Sequence, residues 1–101
     1  MTVQEAIAKL EQAWDLDSGF LGRLRQGEFN AARSQRFEEL LKDLPTKGDM
    51  LDARLVSLTW YIPLFMSWQR ERCLANGCDA DAFDQAVNRA TSLLEKALGV
   101  P

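Results

Sequence analysis

The chain has 101 residues, 47% of them apolar and 27% charged, with a net charge of −3 and no histidine. That length suits one domain and one core, and the composition excludes a disordered or low-complexity chain. The missing histidine removes the commonest general base and metal ligand, and with it most Ser-His-Asp, Cys-His and zinc-hydrolase chemistry.

At the N-terminus, Thr2 and Glu5 have the spacing of a capping box, so a helix is predicted to start there, with Val3, Ile7, Leu10 and Trp14 on its apolar stripe. The same segment interleaves charge with apolar residues and does not read as a secretory signal. Asp17 or Ser18 can cap a short second helix that carries Phe20, Leu21 and Leu24 and stops at Gly27. Asn30 is a cap for a third helix with Phe37, Leu40, Leu41 and Leu44, closed by Pro45.

Asp49 can cap a fourth helix through Leu51, Leu55, Leu58, Ile62, Phe65 and Met66, kinked or broken near 59–62 by Pro63. Its most apolar window, 56–68, is too short to span a bilayer, which needs about 20 residues. It reads instead as a central helix wrapped by its neighbours. Asn76-Gly77 is a stop, and Asp79 or Asp81 begins a last helix with Phe83, Val87, Ala90, Leu94 and Leu98 facing inward. The expected fold is therefore all-α, a single domain over residues 1–101. It is an irregular bundle of four or five antiparallel helices joined by short loops.

No catalytic, cofactor or metal site is expected. Phosphate-loop and dinucleotide fingerprints are missing, and Gly19, Gly22 and Gly27 look like helix boundaries. Asp79, Asp81 and Asp84 lack the glycine and closing glutamate of a calcium loop and suit a helix N-terminus. Cys73 and Cys78 read as reduced thiols, the first packed and the second in a loop.

Charge is unevenly distributed. Residues 1–17 sum to −3, residues 18–36 to +3 and residues 37–52 to −3. Arg23, Arg25, Arg33 and Arg36 raise the question of nucleic acid, but the acidic chain lacks a nucleic-acid motif and that partner is disfavoured. Trp60 and Trp68 lie eight residues apart, away from the side of Leu58, Ile62 and Phe65. One side of the fourth helix is thus a candidate contact surface, for a homodimer or a foreign protein.

The stretch Gly19-Phe20-Leu21-Gly22-Arg23-Leu24-Arg25-Gln26-Gly27-Glu28-Phe29-Asn30, followed by Phe37, Leu40 and Leu41, resembles segments in small bacterial immunity proteins of contact-dependent growth inhibition and related polymorphic toxin systems. The resemblance implies a cytoplasmic, non-enzymatic protein that neutralises one toxin domain by forming a tight complex. On that footing Asp15, Asp17, Glu38, Glu39 and Asp43 are the expected binding surface for a basic toxin, with Arg23 and Arg25 as hydrogen-bond donors. The alternative is a self-associating structural or regulatory protein closed through the Trp60 and Trp68 side.

Overall fold

The computed structural model describes residues 1–48 and 50–101. They form an all-helical globule with no strand among the described residues: α1 (Val3–Trp14), α2 (Phe20–Leu24), α3 (Ala31–Lys42), α4 (Ala53–Thr59), α5 (Ile62–Trp68), α6 (Arg70–Ala75) and α7 (Ala80–Leu98). Single joints separate α4, α5 and α6, so the seven segments make five units, with the expected fourth helix broken twice.

The N-terminal capping box is present: Thr2 Oγ1 accepts from the Glu5 N–H (3.1 Å) and Glu5 Oε1 from the Thr2 N–H (3.4 Å). The buried face of α1 is nevertheless rotated from the expected stripe. Ala6, Leu10 and Ala13 are buried, whereas Val3, Ile7 and Trp14 are half-buried. Small alanines face inward because the chain folds back closely over the end of α1. A Cβ on Gly19 would lie 2.3 Å from the Ala13 carbonyl oxygen, and one on Gly22 only 1.9 Å from that of Asp15. These two glycines are therefore contact residues as well as boundary residues, since no side chain fits there.

Neither Asp17 nor Ser18 caps α2; its N-cap is Gly19, without a side-chain bond. Asp15 does the local work instead. Its Oδ2 accepts from the N–H groups of Asp17 (3.1 Å) and Ser18 (2.9 Å) and from the Ser18 hydroxyl (2.8 Å). Asn30 caps α3 as expected, its Oδ1 accepting from the Arg33 N–H (2.9 Å), and Phe37 and Leu41 point into the core. Asp49, the expected cap of the next helix, lies outside the described residues. The cap of α4 is Asp52, bonded to the Leu55 N–H (3.0 Å), and Leu51 precedes the helix.

The break predicted near Pro63 falls at Trp60 and Tyr61. Pro63 sits in the first turn of α5, where a missing N–H costs nothing, and the buried Thr59 hydroxyl bonds to the Leu55 and Val56 carbonyls (2.9 and 3.2 Å). After α6, Gly77 (φ +96°) turns the chain, the Gly77 N–H reaching the Leu74 carbonyl and the Cys78 N–H that of Cys73. Asp79 caps α7 through the Ala82 N–H (2.9 Å).

Successive long units alternate in direction, as expected. Arg33 Nη1 reaches the Ser18 carbonyl (3.2 Å) while Met1 lies beside Asp43, so α1 and α3 are antiparallel. Two non-successive pairs are consequently parallel. Glu11 and Trp14 of α1 meet Arg54 (3.0 Å) and the Leu58 carbonyl (2.9 Å) of α4. Alongside α3 and its N-terminal approach, Phe29 packs on Phe83 at 5.5 Å and Glu38 pairs with Arg89 at 2.8 Å, both partners on α7. The core between them holds Leu10, Leu21, Leu24, Leu55, Ile62, Met66 and Phe83. Each fully buried aliphatic side chain contributes roughly 2 kcal/mol.

Two measurements test this account. Gly22→Ala is expected to destabilise the fold by about 3 kcal/mol through backbone overlap, read as a lower urea midpoint. Hydrogen bonds from Ser18 hold the Asp15 carboxyl below its ordinary value, and bonds from Thr2 do the same for Glu5. Both groups therefore stabilise the fold above the usual carboxylate range of about 4 and lose that contribution as pH falls through their folded values. Asp15→Asn is expected to flatten the acid limb of the thermal-midpoint profile.

Candidate functional site

The apolar run 56–68 is not wrapped on all sides, contrary to the expectation of a central helix. Leu55, Leu58, Ile62, Phe65 and Met66 turn into the core, but Trp60, Leu64 and Trp68 are 60%, 44% and 63% exposed. Their i, i+4, i+8 spacing puts them in one row, because Trp60 and Tyr61 keep right-handed helical backbone through the break. Tyr61, half-buried, binds the row together. Its ring centroid lies 5.3 Å from that of Trp60 and 5.7 Å from that of Trp68, the latter edge-on.

The row is supported from below. Tyr61 and Trp14 pack on Phe65 at 6.4 and 4.8 Å, and the Trp14 indole N–H donates to the Leu58 carbonyl beside the break. Exposed aromatic area of this kind, held by a rigid scaffold, is what protein interfaces use as anchors. Two arginines border it. The Arg25 guanidinium stands over the Phe65 ring, 5.2 Å from its centroid, and Arg72, one turn beyond Trp68, donates to the Arg25 carbonyl and to Gln69 Oε1.

The acidic residues singled out in the sequence do not form one surface. Asp15 and Asp17 lie in the turn after α1; Asp15 is committed to that turn, and the Asp17 carbonyl accepts from Arg23 Nη1 (2.8 Å). Glu38 faces α7, its side chain 12% exposed and paired with Arg89. Glu39, paired with Lys42 (3.1 Å), and Asp43 are exposed at the far end of α3. Arg23, half-buried, is engaged within the chain: it pairs with Glu28, and its Nε is buried without a partner among the described residues. Of the seven expected contact residues, only Arg25 borders the aromatic row.

Glu39 and Asp43 line a separate open groove of about 630 Å³ between α1 and α3, over Phe37 and Leu40, with Lys9 and Arg36 on its walls. Charges of both signs are mixed along it. Elsewhere, Arg70 and Asp84 form a two-point pair (2.8 and 3.1 Å) that holds the Asp84 carboxyl below its usual value. It ties the start of α6 to the first turns of α7. Among the described residues no group of three or more histidine, cysteine or acidic side chains is placed to hold a metal ion, and no helix is long and apolar enough to cross a membrane.

Both cysteines are free. Cys73 is buried and Cys78 half-buried in the loop before α7. Burial, reinforced by the neighbouring Cys78, pushes the Cys73 thiol up to about 11. At pH 8 Cys78 is expected to react with Ellman's reagent first, and Cys73 only at the rate of unfolding; equal rates for the two thiols would contradict the packing.

Comparison with family models, curated proteins and solved structures gave no significant match.

Proposed function

We propose that this chain is a protein-binding module without chemistry of its own, an immunity-type inhibitor that acts in the cytoplasm by holding one toxin domain in a stoichiometric complex. The observation that carries the reading is the aromatic row: two tryptophans more than half exposed on a rigid helix, with Leu64 between them and Tyr61 bracing both. Tryptophan and arginine dominate the energetics of protein interfaces, and here Arg25 stands over Phe65, on which Tyr61 of the row packs. The segment 19–30, which carries the resemblance to immunity proteins, supports the same face by placing Arg25 on Phe65.

A second reading is self-association. Trp60, Tyr61, Leu64 and Trp68 bear no charge, so the identical row of a second copy would match them without a buried charge.

Affinity-tagged protein purified gently from its native host is expected to carry one toxin-like protein at a one-to-one ratio. Trp60→Ala with Trp68→Ala should weaken that complex by at least thirtyfold, as loss of an anchor worth about 2 kcal/mol or more requires. A clean homodimer that dissociates in the double variant favours the second reading. A monomer whose complex survives the double variant removes the row from the interface.

A further inference from the structure

Building on the protein-binding reading, we infer that the partner's contact face is apolar along its middle and carries carboxylates along the edge that meets Arg25 and Arg72, so that it is acidic rather than basic. Five of the chain's twelve lysines and arginines are spent on internal ion pairs. Arg23, Lys42, Arg54, Arg70 and Arg89 each pair with a carboxylate of the same chain. Among the described residues, Arg25 and Arg72, the two beside the row's base, do not. The Arg25 guanidinium rests on Phe65 and makes no hydrogen bond among the described residues, while Arg72 touches only neutral acceptors. Glu71, next to Arg72 in sequence, adds its field to Arg70.

An arginine laid on an aromatic ring keeps its fork of donors free for a carboxylate, and its pairing grows stronger as the surrounding apolar area excludes water. A basic face placed on the same row would bring like charge against both guanidinium groups as water leaves. The acidic residues expected to meet a basic toxin lie away from this row: Asp15 and Glu38 are engaged within the chain, and Glu39 and Asp43 sit on the α1–α3 groove, whose lining does not include the row. An anionic membrane is a poorer match than a protein, since only two cations flank the row on a chain of net charge −3.

The test uses two synthetic sixteen-residue amphipathic helical peptides with one leucine and tryptophan face in common, one flanked by glutamates and the other by lysines. Each carries a fluorophore and is titrated with the intact protein at 50 and 300 mM salt. The glutamate peptide is expected to bind at least tenfold more tightly than the lysine peptide at low salt, with the gap narrowing at high salt. Arg25→Glu with Arg72→Glu should reverse the preference, and Arg25→Gln with Arg72→Gln should abolish it if charge reversal disturbs the helical circular dichroism. Equal or tighter binding of the lysine peptide, or a preference indifferent to both double variants, overturns the inference. Binding of neither peptide overturns it while the co-purification result stands or falls separately. A doubled molar mass of the protein alone, or binding to phosphatidylglycerol vesicles in place of the peptides, assigns the row to a second copy or to lipid and also overturns it.

Discussion

The fold turns on the contact of two backbones at the end of α1. Gly19 and Gly22 press against the carbonyls of residues 12–15 at distances that admit no side chain, and the Asp15 carboxylate ties the intervening turn. That approach sends α2 back over the alanines of α1 and drives Leu21 and Leu24 into the core. From α2 the chain reaches both of its long-range clamps. Arg25 lies on Phe65, and the carbonyls of Gln26 and Gly27 accept from the Asn76 side chain (3.2 Å each) in the turn before α7. Five helical residues thus connect the N-terminal corner to the aromatic row and to the turn before α7.

Pro63 provides the complementary constraint. Without an N–H to continue the ladder, the chain ends α4 at Thr59 and restarts at Ile62, and Trp60 and Tyr61 occupy the joint. Core burial is exhausted by Leu58, Ile62, Phe65 and Met66 on one side, so the remaining aromatic side chains have only the surface and one another. The row is a by-product of packing that has become a rigid feature, because Trp14 and Phe65 fix its base.

Much of this architecture was legible in the sequence. Capping patterns at Thr2, Asn30 and Asp79, the stop at Asn76-Gly77 and the interruption at Pro63 are local chemistry, and each appears where its residues predict. Expectations failed where the deciding contact is remote in sequence. The rotation of α1 toward its alanines depends on glycines that read as mere punctuation, and Asp15 rather than Asp17 holds the turn. The eight-residue spacing of Trp60 and Trp68 signals a shared side, and the structure adds Leu64 between them. Arg72 could not have been chosen from spacing alone, since its neighbour Arg25 is 47 residues away. Charge blocks along the chain likewise say nothing about patches: Glu38 and Glu39 are adjacent in sequence, yet one is paired against α7 and mostly covered while the other faces solvent.

The two parallel pairs have a consequence for how the chain acquires its structure. α1 closes on α4 across more than forty residues, and α3 closes on α7 across some fifty, so each of the first long helices draws part of its cover from the distant half of the chain. α1, α2 and α3 can pack on one another, as Phe20 does on Phe37 at 5.2 Å, but the core is complete only once α4, α5 and α7 have joined it. Loop closure must precede the reward for such contacts, which slows folding relative to a bundle built only of sequential pairs.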